Sequence, residues 1–265
     1  MGFPLKPAKG LELVGVYIGL AVKGRKRSCG NSATAWKKPA ADGLRGVDAE
    51  ERNEPMKAVP IDTGLEGLVL YPACLDETAQ KALAAELREA LALSPPCRPR
   101  MPRSGRPFSV MQTNLGPLGW VSDERGYRYE PRHPLTREPW PPIPALLLDL
   151  WREFAAFPAP PECCLVNIYR DETAKMGLHQ DRDEAALDAP VLSVSLGDGC
   201  LFRVGGLSRG GPTRSFRLAS GDVLVMGGPS RLRFHGVDRI FPGTSRLVEG
   251  GGRINLTLRR VTKTL

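Results

Sequence analysis

At 265 residues the chain can bury a full core as one domain, or as one domain with a long tail, and its 42% hydrophobic and 25% charged positions are ordinary for a soluble globular protein. No run approaches the ~20 consecutive apolar residues that a membrane-spanning helix needs. The net charge of +8 suits a polyanionic partner, although an arginine-rich composition also arises from genomic base bias.

The first 55 residues hold 10 Lys+Arg against 6 Asp+Glu, half of the net charge, and mix Gly, Pro, Lys and Arg with no sustained period. Leu11 to Val22 is apolar but short and is interrupted by Glu12. Gly24-Arg25-Lys26-Arg27 follows it where a signal peptide would carry a small-residue cleavage site. Two readings of residues 1–55 stay open: a disordered basic leader, or a translation start assigned too early, with Met56 the true one. Residues 56–265 then form the single domain. None of the six cysteines, Cys29, Cys74, Cys97, Cys163, Cys164 and Cys200, forms a CxxC pair, so reduced thiols in a cytoplasmic protein are expected.

Asp76 to Leu93 predicts a helix. Asp76 can cap it, Ala, Leu and Glu dominate it, Leu83, Leu87 and Leu91 share one face, and Pro95-Pro96 stop it. Arg98 to Pro131 mixes Pro, Gly, Arg and aromatics, as a binding loop region would. After the run Pro139 to Pro144, a second helix is predicted over Ala145 to Phe157. From Cys163 the texture turns to short strands separated by Gly, Pro and Asp: Cys163–Tyr169, Val191–Leu196, Cys200–Val204, Arg214–Leu218, Asp222–Met226, Leu232–His235 and Arg253–Arg260. Many short strands with such turns point to a β-sandwich or jelly roll.

The chemistry sits in two stretches. His179-Gln180-Asp181 places two ligand types one residue apart, so an extended segment aims both at one point. His235 could arrive from an opposing strand. Two imidazoles and one carboxylate hold a divalent iron on one face and leave the other open. Arg253, Asn255, Thr257 and Arg259 alternate along the last strand and share a face, while Ile254, Leu256 and Leu258 take the other. Interior arginines are costly unless neutralised, and the two carboxylates of 2-oxoglutarate match two guanidinium forks. Asn167 and Tyr169 alternate in the same way on an earlier strand. The plainer alternatives are histidines with their own hydrogen bonds and an edge strand with solvated arginines.

From about residue 108 to 260 the chain resembles the AlkB family of iron(II)- and 2-oxoglutarate-dependent nucleic-acid dealkylases, its bacterial repair branch in particular. The resemblance rests on Leu118-Gly119-Trp120, Gly126-Tyr127-Arg128-Tyr129, Asn167-Ile168-Tyr169 and Leu178 through Glu184. It continues through Val194-Ser195-Leu196-Gly197, Gly205-Gly206-Leu207, Gly221-Asp222-Val223, Ser230-Arg231-Leu232 with His235-Gly236, and the final Arg-x-Asn-Leu-Thr-x-Arg. It implies an α+β, mainly β fold: a double-stranded β-helix (jelly-roll) core over about 160–262, flanking helices, and a nucleotide-recognition lid over about 98–135. It implies His179, Asp181 and His235 as iron ligands and Asn167, Tyr169, Arg253, Asn255 and Arg259 as 2-oxoglutarate ligands. Trp120, Tyr127, Tyr129, Asp183 and Arg209 fall where the family contacts the damaged nucleotide.

The implied reaction consumes dioxygen and 2-oxoglutarate, oxidises an N-methyl group and releases formaldehyde, succinate and carbon dioxide. The implied partner is alkylated DNA, with RNA as a second class, met by a monomer that does not enter a membrane. Bases methylated on the pairing edge, of the 1-methyladenine and 3-methylcytosine type, suit a pocket with Trp120 to stack on and Asp183 to accept from an exocyclic amine. The plainer reading makes Trp120 and the tyrosines lid core, and makes Asp183 and Glu184 turn caps. Met226 departs from the pattern, since the repair branch carries Trp there, and this leaves the fine shape of the pocket open but not the iron site. The competing functions are an AlkB-like oxygenase acting on a tRNA modification or a non-nucleic-acid substrate, and a nucleic-acid-binding jelly roll without catalysis.

Overall fold

A computed structural model describes residues 58–264, which form twelve strands and two α-helices. The basic leader and Met56 lie outside the described residues. Six strands form the larger sheet: β1 (Leu68–Tyr71), β2 (Met111–Leu115), β5 (Cys163–Tyr169), β7 (Val191–Gly197), β10 (Val223–Met226) and β12 (Arg253–Arg259). They lie antiparallel in the order β1-β10-β7-β12-β5-β2. The smaller sheet is β6 (Met176–His179), β11 (His235–Phe241), β8 (Gly199–Val204) and β9 (Arg214–Leu218), in that order. A separate hairpin joins β3 (Gly119–Asp123) to β4 (Gly126–Glu130).

Two-residue alternation divides the larger sheet into two chemistries. One face carries Val166, Ile168, Leu192, Val194, Ile254, Leu256 and Leu258, which pack with Leu83, Leu87, Leu147 and Trp151 of the helical segments in a buried cluster. The other face meets the smaller sheet through Leu68, Val191, Leu224, Phe202, Val204 and Val237. On that inner face apolar packing gives way to polar side chains around the cleft, as in the jelly roll expected from the strand pattern.

Helix α1 (Glu77–Leu93) starts where expected: the Asp76 carboxylate accepts from the Ala79 amide at 2.7 Å. Leu83 and Leu87 are buried and Leu91 is half-buried. Ser94 ends the helix and its hydroxyl meets that of Thr113 at 2.6 Å, which ties the helix to β2. Helix α2 (Ala145–Leu150) is shorter than expected. One wider π turn, Trp151–Ala155, follows it, and Ala156 adopts the left-handed conformation at φ 48°. That turn buries Trp151, whose indole N–H donates to the Ala159 carbonyl at 3.0 Å.

Two other expectations need correction. The stretch Leu232–His235 is not a strand. Pro229 and Ser230 sit in a short 3-10 turn, and β11 begins only at His235. Leu232 and Phe234 mimic alternation, but their segment turns because Arg231 is drawn inward and Phe234 brackets Gly205 and Gly206 with backbone hydrogen bonds. The region 98–131 is not only loop, since it carries β2, β3 and β4.

Pairing of β11 with β6 sets His235 directly opposite His179. Gly236 makes that approach possible, because a Cβ there would collide with the Met176 carbonyl oxygen and sit 2.8 Å from that of Gly177. Gly236→Ala is therefore expected to lower unfolding free energy in urea by about 1–3 kcal/mol through overpacking. An unchanged unfolding midpoint would mean that β6 and β11 are not held this closely.

Candidate metal and cosubstrate site

A cleft of about 800 Å³ opens between the two sheets and the β3–β4 hairpin. His179 comes from the end of β6, Asp181 from the turn after it, and His235 from the start of β11. One ligand atom from each lies within 4.8 Å of the others. The Asp181 carboxylate oxygens lie 3.6 Å from His179 Nε2 and 3.8 Å from His235 Nε2. Each imidazole places its Nδ1 3.0 Å from a backbone carbonyl, Gly177 for His179 and Arg233 for His235. A carbonyl only accepts, so Nδ1 holds the proton and the Nε2 lone pair faces the shared centre. Burial first, and the neighbouring His179 second, push His235 down to about 4, so it is a neutral ligand at neutral pH. Burial opposes charge on Asp181, but Arg259 and then the two histidines outweigh it and hold the carboxyl well below its usual range. The side chain of His179 is 39% exposed, against 7% for Asp181, so the cluster is open on one side. These donors fit iron(II) held on one face with positions left for small ligands.

The third histidine, His133, is structural. It is buried, its Nε2 meets the Pro95 carbonyl, and its Nδ1 accepts from the amides of Leu135 and Thr136.

Arg259 and Arg253, expected to act alike, have different surroundings. Arg259 donates to Asp181 at 2.8 Å and lies 3.3 Å from Glu184, so the protein's own carboxylates neutralise it. Arg253 is 1% exposed and meets only the Ser195 hydroxyl (2.8 Å) and the Asp198 carbonyl (3.4 Å). Its Nε has no hydrogen-bond partner, and its contacts among the described residues include no carboxylate. A buried guanidinium left in that state fits an anionic ligand. Tyr169, facing Arg253 across the β5–β12 register, keeps its phenol protonated because burial raises it, so it can donate to the same anion. A polar ladder runs beside them: Gln112 donates to Asn167 (2.6 Å), Asn167 to Asn255 (3.2 Å), and Asn255 to Ser193 (2.7 Å). Asn167, Tyr169, Arg253, Asn255 and Arg259 thus all line the cleft, and so does Met226 beside Val191 and Leu224.

Of the five residues expected near a nucleotide, Trp120, Tyr127, Asp183 and Arg209 line the cleft and Tyr129 does not. Asn114 pins the backbone of Trp120 through two 3.0 Å hydrogen bonds, and the Trp120 indole donates to Asp183 at 2.9 Å. Tyr127 stacks on Trp120 with centroids 5.4 Å apart. Arg209 lies over the Phe234 ring at 5.0 Å. Tyr129 turns inward, where its hydroxyl donates to Glu184 at 2.5 Å. Glu184, expected at most to cap a turn, is a buried hub for Tyr129, Arg231 and Arg259. Its nearness to Asp181 in the chain was the available signal. Gln112 gave none, because its strand was hidden in a loop-like composition.

Residues 67–259 match the family model of the 2OG-Fe(II) oxygenase superfamily. An alpha-ketoglutarate-dependent dioxygenase AlkB homolog of Caulobacter vibrioides is 56% identical over 209 residues, 79% of this chain and 94% of that protein. The AlkB dioxygenase of Escherichia coli is 37% identical over 221 residues, 82% of this chain and 97% of that protein. Among solved structures, OsALKBH1 superposes with a TM-score of 0.65 at 31% identity, over 73% of this chain and 96% of that one. The chain belongs to the AlkB family within the 2OG-Fe(II) oxygenase superfamily, and is an iron(II)- and 2-oxoglutarate-dependent dioxygenase.

Proposed function

We propose that this dioxygenase repairs alkylated nucleic acid by oxidative demethylation of bases of the 1-methyladenine and 3-methylcytosine type, in DNA and also in RNA. The observation that carries this reading is the juxtaposition, in one cleft, of the His179-Asp181-His235 cluster with the Trp120–Asp183 pair. The relatives at 37% and 56% identity carry the AlkB name, which supports it.

In this reading His179, Asp181 and His235 hold the iron, and Arg253 grips the distal carboxylate of 2-oxoglutarate, aided by Tyr169, Asn167 and Asn255. Arg259 serves the same site from the other side by holding Asp181. Bound iron and cosubstrate supply the oxidation of a C–H bond by dioxygen, with 2-oxoglutarate leaving as succinate and carbon dioxide. The hydroxylated N-methyl group leaves as formaldehyde when its C–N bond breaks, and the ring nitrogen keeps the electron pair. The protein then needs only to position the base, exclude water and compensate charge.

A pairing-edge methyl can be reached only once its nucleotide leaves the stack, and a lesion that already blocks pairing lowers that cost. Trp120 offers the extruded base a π surface. Asp183 uses one carboxylate oxygen on the Trp120 indole, so the other remains to accept from an exocyclic amine. A carboxylate at that place also favours a base made cationic by methylation. Arg209 and Tyr127 sit at the mouth, where the flanking strand would run. A cytoplasmic monomer is the corresponding cellular form. Five free cysteines among the described residues suit a reducing compartment.

Two substitutions separate the roles. Trp120→Ala is expected to lower kcat/KM on methylated oligonucleotides by the equivalent of about 1–3 kcal/mol. Its 2-oxoglutarate turnover without oligonucleotide should persist, and parallel loss of both would place Trp120 in the oxidising machinery instead. Arg253→Lys keeps the charge but loses the fork, and should raise the KM for 2-oxoglutarate about 10–100-fold, the worth of a charge-assisted hydrogen bond. A wild-type KM would remove Arg253 from the cosubstrate site. If the wild-type enzyme turns over 2-oxoglutarate but removes no methyl group from any methylated DNA or RNA, as read by mass spectrometry, an AlkB-like oxygenase with another substrate becomes the reading.

A further inference from the structure

We propose that Arg231 is a positioning residue for the metal site, locking together the two chain segments that supply Asp181 and His235. It rests on the reading of His179, Asp181 and His235 as the metal ligands. Arg231 is 3% exposed and lies four residues before His235, on the turn that precedes β11. All three guanidinium nitrogens reach into the segment that begins at Asp181. Nε donates to the Ala189 carbonyl at 2.7 Å, one terminal nitrogen to the Asp181 carbonyl at 2.6 Å, and the other to the Glu184 carboxylate at 3.2 Å. The first two bonds brace the backbone from both ends of the turn 181–189. The third continues the lock, because Glu184 also meets Arg259, and Arg259 holds the Asp181 carboxylate.

Asp181 is thus fixed twice, through its backbone by Arg231 and through its side chain by Arg259. The two arginines and two carboxylates balance in charge. Only a planar fork reaches three acceptors in this arrangement, and an ammonium at the end of a lysine stem cannot. A metal cluster whose donors come from separate segments depends on such partners, whose loss typically weakens metal affinity about 10–100-fold.

Cobalt(II) titration of the metal-free protein, followed by visible absorption, gives a readout independent of turnover. Arg231→Lys is expected to raise the cobalt(II) dissociation constant about tenfold or more. Glu184→Gln keeps the side-chain size but weakens the lock, and should raise it by a smaller factor. Leu83→Ala, in the core on the helical side of the larger sheet, lowers thermal stability without touching the network and should keep the wild-type constant. If Arg231→Lys does not fold, Glu184→Gln carries the test. Wild-type cobalt affinity in every folded variant of the pair, or an equal loss in Leu83→Ala, would overturn the positioning role. His235→Ala distinguishes the underlying assignment: cobalt binding unchanged in that variant removes the ligand cluster itself, whereas binding lost there but unchanged in Arg231→Lys removes only the role of Arg231.

Discussion

The contact on which the site depends is the buried ion pair between Arg259, at the end of the last strand, and Asp181, in the turn after β6. It joins the larger sheet to the turn that carries the carboxylate of the metal cluster. Taking both charges out of water is costly, and removing one partner of such a pair costs about 3–5 kcal/mol because the other is stranded. Arg259 also reaches Glu184, and Glu184 reaches Tyr129 on the β3–β4 hairpin. One guanidinium therefore links the core sheet, the metal turn and the hairpin that bears Trp120. The same pairing distinguishes the two arginines of the last strand. Arg259 is neutralised internally, and Arg253, with an unpartnered Nε, retains the charge that an anionic cosubstrate can meet.

Charge and shape then divide the cleft. Its inner end holds a polar ladder on the larger sheet, from Gln112 through Asn167 and Asn255 to Ser193, with Arg253 and Tyr169 beside it. Its outer end holds the Trp120–Tyr127 stack and Asp183. The His179-Asp181-His235 cluster, carried by the smaller sheet and the turn after β6, lines the same cleft. Met226 adds a flexible side chain to the cleft lining.

Much of this was legible in the chain because it follows from period and residue type. The alternation of Arg253, Asn255, Thr257 and Arg259 against Ile254, Leu256 and Leu258 predicted both faces of β12, and the buried apolar set lies where it should. Asp76 and the leucines of α1 were equally clear. Strand boundaries failed where local pattern and tertiary bonding disagree. Leu232 and Phe234 alternate like a strand, but Arg231 pulls the segment inward and β11 starts later. Strands β2 to β4 were hidden because Pro, Gly and Arg surround them, and their pairing partners are distant in sequence. Beyond the closeness of Glu184 to Asp181 in the chain, the roles of Glu184 and Arg231 had no local signature. They come from long-range partners, which spacing along a chain does not encode.

The most direct test of the account is a crystal structure grown with manganese(II) and 2-oxoglutarate in the absence of oxygen. The account predicts an anomalous peak at coordination distance from His179 Nε2, His235 Nε2 and an Asp181 oxygen. It also predicts the distal carboxylate of 2-oxoglutarate on Arg253, with Arg259 still bound to Asp181. A metal held elsewhere, or a cosubstrate that takes Arg259 from Asp181 and leaves Arg253 unpartnered, would contradict it.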